Sequence, residues 1–174
     1  MGLLEKDRAA LLVIDVQEGF RPYATFAEVA AACGRLVAGA RELGVPILAS
    51  EQYPKGLGPT APEIGLEEEP RIEKTVFSVA RADGFDLGGR DQVLIGGIEA
   101  HVCVSQTVHD LLAQGIEVHV AADAVGSRHP VDYERALPRL ERAGAVVTTV
   151  ESALLEFCER AGTPEFKAVQ KVIL

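Results

Sequence analysis

Ala9 to Ile14 reads Ala-Ala-Leu-Leu-Val-Ile, six apolar residues without a break, and stops on Asp15. A run so short and so continuously apolar is the pattern of a strand covered on both faces, the condition of strands in parallel sheets. Helical patterns alternate with strands of this kind along the rest of the chain. From Phe26 the residues Val29, Cys33, Leu36, Val37 and Ala40 recur at helical spacing, and Gly44 stands where a helix C-terminus wants glycine. Further strands are predicted at Val45–Ala49, Ile72–Phe77, Gln92–Ile95, Ile116–Ala121 and Ala145–Val150. Helices are predicted from Cys103 to Gly115, from Asp132 to Ala143, from Ala153 to Arg160 and from Pro164 to Val172. Pro138 falls inside one of them and predicts a kink or an early break. Between Gln52 and Arg71 there is no periodicity, only scattered Pro and Gly; a loop of that length in a compact domain is usually functional or part of an interface. Strands alternating with helices predict an α/β fold, a parallel sheet with helices on both faces and right-handed crossovers, in one domain over residues 1–174.

The charge balance narrows the partners. A formal net charge of -9 argues against nucleic acid or an anionic membrane surface as the main partner, and no apolar stretch is long enough to span a bilayer. Cys33, Cys103 and Cys158 are odd in number and widely spaced, which fits a reducing compartment better than a disulfide framework. Met1-Gly2-Leu3-Leu4 runs straight into Glu5-Lys6-Asp7-Arg8, unlike a secretory signal, and Lys6 stands where a myristoylation motif wants Ser or Thr. The expected location is cytoplasmic.

In parallel α/β sheets ligands bind at the carboxyl ends of the strands. Asp15, Glu51, Lys74 and Cys103 all fall at such ends. Cys103 lies where a strand passes into the first turn of a helix, and backbone N–H groups and the positive helix end favour a thiolate there. Many free cysteines are inert core residues, so its partners decide. Asp15 can take the thiol proton and later give one to a leaving amine; alone, it reads as a cap on the next segment. Lys74 supplies a counter-charge that favours both anions; alone, it reads as a surface lysine. His101 and His129 are rival bases. His101 precedes Cys103 by two residues and in a regular helix points to the opposite side; His109 and His119 read as ordinary helix and strand positions. No HxH, HExxH or paired Cys/His spacing suggests a metal, and Gly96-Gly97 lacks the rest of a dinucleotide fingerprint. No cofactor is expected.

Asp15-Val-Gln-Glu-Gly-Phe20, Lys74-Thr-Val-Phe77 and Gly97-Ile-Glu-Ala-His-Val-Cys103-Val resemble the three catalytic segments of the isochorismatase-like cysteine hydrolases. Glu51 to Thr60, Val118-His-Val and Pro164 to Lys171 are similar to the isochorismatase domain-containing protein subgroup. The resemblance implies a three-layer Rossmann-like fold on a six-stranded parallel sheet, with Asp15, Lys74 and Cys103 as a triad at its carboxyl edge. It also implies a cis peptide at Ile98–Glu99, an oxyanion hole from the N–H groups of Glu99 and Cys103, and a homo-oligomer with residues 53–70 and the C-terminal segment as candidate interfaces. Glu51-Gln52-Tyr53 replaces the Asp-x-His metal pair of the nicotinamidases, and Glu99 stands where many relatives carry Thr. Gln17, Phe20 and Tyr53 are expected to line the pocket.

The expected activity is metal-independent hydrolysis of a small amide, carbamoyl or related carbonyl compound through a thioester on Cys103. Two alternatives stay open: vinyl ether hydrolysis of the isochorismate type using Asp15 and Lys74, and a non-catalytic binding or redox-sensing role for a retained site.

Overall fold

A computed structural model describes residues 2–174. Six parallel strands, β1 (Ala9–Ile14), β2 (Ile47–Gln52), β3 (Arg71–Lys74), β4 (Gln92–Ile98), β5 (Glu117–Gly126) and β6 (Val146–Thr148), form one sheet in the order β3-β2-β1-β4-β5-β6. The helices are α1 (Phe26–Leu43), the single turn α2 (Pro54–Leu57), α3 (Ser105–Ala113), α4 (Pro130–Ala143), α5 (Val150–Cys158) and α6 (Pro164–Ile173). Among the described residues no helix is long and apolar enough to cross a membrane.

All six residues of β1 are buried because the sheet is covered twice. Leu11 and Val13 point into a core shared with Val29, Cys33 and Leu36 of α1 and Leu154 of α5. Leu12 and Ile14 point the other way, toward Val108 and Leu111 of α3 and Leu140 of α4. Full burial of each such side chain contributes about 1.5–3 kcal/mol. α1 stops at Gly44, whose φ of 68° lets its N–H reach the carbonyls of Ala40 and Arg41. Thr149 and Thr163 cap α5 and α6 by accepting from the Ser152 and Phe166 N–H groups.

Several boundaries differ from the sequence expectation. β2 continues through Ser50, Glu51 and Gln52, polar residues held by partners at the sheet edge. β3 ends at Lys74 rather than Phe77, and exposed Val76 and Phe77 lie off the sheet. β5 runs on to Gly126 through a register irregularity against β4, past the Ala122-Asp123 step that breaks its apolar pattern. The predicted loop at 52–71 contains α2 and a 3₁₀ turn at Pro62–Ile64. Pro138 neither breaks nor shortens α4, which is continuous from Pro130 to Ala143. The Pro138 ring sits on the exposed side of that helix, so the carbonyl one turn back that lacks its N–H partner faces water.

Candidate active site

The sheet's carboxyl edge gathers four polar side chains from four strand ends. β1 turns at Asp15, which takes a left-handed conformation (φ 53°) that Asp tolerates better than most residues. Its carboxylate is fully buried. Oδ1 accepts from Ser50 Oγ at 2.7 Å, and Oδ2 accepts from Lys74 Nζ at 2.7 Å. Lys74 also donates to Gln52 Oε1 at 2.7 Å and to the Phe77 carbonyl at 3.0 Å, so its three N–H groups are all engaged. A buried ammonium with a full set of acceptors is a fixed charge rather than a flexible surface cation.

Cys103 faces this cluster, 5% exposed, with Sγ 3.9 Å from Gln52 Oε1. The expected helix start is displaced. Residues Ala100–Val104 form one π turn, in which the Val104 N–H reaches the Glu99 carbonyl at 3.2 Å, and α3 begins only at Ser105. Thr107 anchors the turn, donating to the Cys103 carbonyl at 2.7 Å and accepting from the Val79 N–H at 2.9 Å. The electrostatics correct the expectation of a resting thiolate. Burial first, and the Asp15 charge second, push the thiol up to about 12 against the opposing pull of Lys74. The resting sulfur is therefore an S–H group beside a carboxylate.

Gln52 was invisible in the sequence as a site residue. It ends β2 two residues after Ser50, on the same face of the strand, and its amide is pinned by donation from Nε2 to the Thr75 carbonyl at 2.9 Å. That leaves Oε1 to hold both Lys74 and the thiol. Glu51, between them, faces away: it accepts from the N–H and hydroxyl of Thr60 at 2.7 and 2.6 Å. Period-two alternation at the end of β2 was the available signal.

The three expected pocket residues separate. Gln17 is fully buried and spends its amide on backbone, donating to the Gln52 and Gly58 carbonyls at 3.1 and 2.7 Å and accepting from the Gln52 N–H at 2.8 Å. It ties the α2 segment to the end of β2 and has no free group for a ligand. Phe20 is buried in the core with its ring against Tyr23. Tyr53 is 53% exposed, holds a left-handed φ of 39°, and lines a cleft of about 310 Å³ together with Lys74 and Thr75. A larger cavity, about 540 Å³ between α1 and the end of β5, is lined by none of Asp15, Lys74 or Cys103.

The Ile98–Glu99 peptide is cis. The Glu99 carboxylate accepts from the Arg128 N–H at 3.1 Å. His101 is turned to Ser127 (Nδ1 to Oγ, 3.0 Å) and Asp132, and His129 is exposed at the start of α4. Neither is bonded to the thiol. Among the described residues no group of three or more His, Cys, Asp or Glu side chains is arranged to hold a metal.

A buried carboxylate, a saturated lysine and a thiol thus meet at one strand edge, and similarity to known proteins gives the family. The isochorismatase domain family model matches residues 9–152. Isochorismatase domain-containing protein 2A of Mus musculus is 42% identical over 99% of this chain and 86% of its own length. The solved structure of MAR1 ribonuclease from Caenorhabditis elegans superposes with a TM-score of 0.92 at 40% identity, covering 99% of this chain and 92% of that one. YcaC from Pseudomonas aeruginosa, solved with hexane-2,5-diol and covalent acrylamide, is 26% identical with a TM-score of 0.86, over 99% and 92% of the two chains. The chain belongs to the isochorismatase family.

Proposed function

We propose that the protein hydrolyses a small amide, carbamoyl or related carbonyl compound through a thioester on Cys103. The observation that carries this reading is the buried contact set Asp15–Lys74–Gln52–Cys103. As Sγ attacks the carbonyl carbon, its proton passes to Asp15. The oxyanion takes hydrogen bonds from the N–H groups of Glu99 and Cys103. Asp15 then returns the proton to the departing amine as the C–N bond breaks. It next takes a proton from the water that attacks the thioester, releasing the acid and regenerating S–H. Lys74 holds the carboxylate in place throughout, and Gln52 holds Lys74. Gln17 and Phe20 support this arrangement, and Tyr53 borders the cleft beside it. A relative that carries covalent acrylamide supports a reactive group in this family. The reading takes the protein as a one-domain subunit of a homo-oligomer, as the resemblance implies.

Incubation with a panel of amides, carbamoyl compounds and aldehydes, followed by intact mass measurement, tests the proposal. The expected result is an adduct on the wild type that is absent from Cys103→Ala, with turnover reduced by a factor on the order of 10³ or more. Full activity of Cys103→Ala would overturn the mechanism; with isochorismate as substrate it would instead favour vinyl ether hydrolysis on Asp15 and Lys74. A second reading, RNA cleavage, has one observation behind it, the name of the Caenorhabditis elegans relative. The net charge of -9 and the saturation of Lys74 leave a phosphodiester poorly held. Degradation of RNA that disappears in Cys103→Ala or Asp15→Asn would establish it.

A further inference from the structure

The thiol and the lysine come from different segments, and one buried side chain joins them. Lys74 ends β3, and its Nζ donates to the carbonyl of Phe77 at 3.0 Å. Two residues beyond Phe77, Val79 opens a 3₁₀ turn, Val79–Arg81, and its N–H donates to Thr107 Oγ1 at 2.9 Å. The same hydroxyl gives its only proton to the Cys103 carbonyl at 2.7 Å. Thr107 and Val79 are both fully buried. Three hydrogen bonds and the short backbone stretch from Phe77 to Val79 therefore connect the Lys74 ammonium to the Cys103 carbonyl.

A threonine that returns its hydroxyl proton to the carbonyl one turn back is common in helices and serves the helix alone. Thr107 does more, because its oxygen also accepts from a group 28 residues away in the chain. The turn it reaches is tied to α3 at the surface as well, where Arg81 Nε and Nη2 donate to the Asp110 carboxylate, each at 2.6 Å. The Arg81 side chain is 70% exposed, so water screens that pair and it directs the backbone weakly. The Thr107 hydroxyl is shielded from water, and removing it strips the buried Val79 N–H of the acceptor it has.

We propose that Thr107 is a positioning residue of this site: its two hydrogen bonds hold the Cys103 turn against the Lys74 segment and so fix where the sulfur stands relative to Lys74, Gln52 and Asp15. This rests on the hydrolase reading only for the reaction that the placement serves. Thr107→Val keeps the shape of the side chain and removes both bonds. The Val79 N–H then needs water, and the 3₁₀ turn parts from the π turn to admit it. The sulfur, 5% exposed in the intact protein, comes out from beneath the cluster. Thr107→Ser keeps both bonds.

Alkylation by iodoacetamide at pH 8 and low temperature, read cysteine by cysteine from peptide masses, tests the role without a substrate. Cys103 should react at least about fivefold faster in Thr107→Val than in the wild type, and within about twofold of it in Thr107→Ser and in Arg81→Ala. Cys33, fully buried in the core, reports unfolding and should stay unlabelled in all four proteins. A Thr107→Val rate within about twofold of wild type overturns the positioning role. A rise shared by Arg81→Ala or Thr107→Ser, or labelling of Cys33 alongside Cys103, overturns it too. Where the wild type hydrolyses an amide of the panel, Thr107→Val should lower kcat at least about tenfold with KM within about threefold. The expected alkylation pattern without hydrolysis by the wild type would remove the hydrolase reading and leave the positioning role standing. Wild-type hydrolysis with alkylation and turnover both unchanged in Thr107→Val would do the reverse.

Discussion

A thiol pushed up to about 12 is a poor nucleophile at neutral pH until something removes its proton. Asp15 plays two opposed roles toward it. Its charge makes the thiolate harder to form in the empty site, and its free lone pairs accept the proton once an electrophile arrives. These roles separate in Asp15→Asn. Removing the carboxylate deletes the second largest cause of the raised thiol and leaves Lys74 beside the sulfur. Alkylation of Cys103 by iodoacetamide at pH 8 should therefore be faster in Asp15→Asn than in the wild type, while amide hydrolysis falls by about 10²–10⁴-fold. The variant leaves a buried ammonium without its anion, a loss of about 3–5 kcal/mol, so both rates belong at low temperature on protein shown to be folded. In the wild type, alkylation should keep rising through pH 10 without levelling. A plateau near pH 8 to 9 would mean that burial and Asp15 do not hold the sulfur protonated.

At the scale of elements, the site depends on how closely β4 passes β1. Gly97 pairs with Ile14, and a Cβ on it would stand 2.1 Å from the Ile14 carbonyl oxygen, at a φ of 140° that other residues rarely adopt. Both the clash and the conformation involve backbone, so no rotamer relieves them. Gly97→Ala should lower stability by about 3 kcal/mol or more in urea unfolding, and should lower turnover because Asp15 follows Ile14 directly. A variant within about 1 kcal/mol of wild type would show that the two strands separate freely at this point. The same elements show what a sequence displays and what it conceals. β1 is legible because both of its faces are buried, so every residue is apolar. α1 is legible because one face is, and Gly44 ends it. Asp15, Lys74 and Cys103 are legible because strand ends punctuate apolar runs. Gln52 is not, since its value lies in partners that are 22 and 51 residues away in the chain. The π turn at Cys103 is equally hidden: it arises from the hydrogen bonds of Glu99 and Thr107, not from any helix propensity. Gln17 misleads for the opposite reason, because a polar residue next to a catalytic-looking aspartate can serve the backbone alone.

For the whole molecule, the notable unused group is His119 in β5. It pairs in register with Leu94 and Val146, is 1% exposed, and both ring nitrogens lack a hydrogen-bond partner among the described residues. Burial holds its pKa below the ordinary 6.5, against a partial pull upward from Glu156 and Glu117. Above about pH 6.5 the ring is neutral in both folded and unfolded chains, and stability does not depend on it. As pH falls below that value the unfolded chain takes the proton first, so stability falls, by at most about 1.4 kcal/mol per pH unit, until the folded ring also titrates. The carboxylates held low by arginines, such as Asp91 and Asp110, act in the same direction but below the ordinary carboxylate range. The window from pH 6.5 to 5.5 therefore isolates the histidine. Thermal unfolding of His119→Leu should lose less stability across that window than the wild type does, and equal losses would mean that His119 is not the acid-sensitive group. Because His119 lies near the amino end of β5, across the sheet from Asp15 and Cys103, the substitution should leave turnover at pH 7.5 unchanged. Acid sensitivity then belongs to the core of the sheet, and a fall in activity between pH 6.5 and 5.5 at low temperature, where both proteins stay folded, would have to come from the site itself.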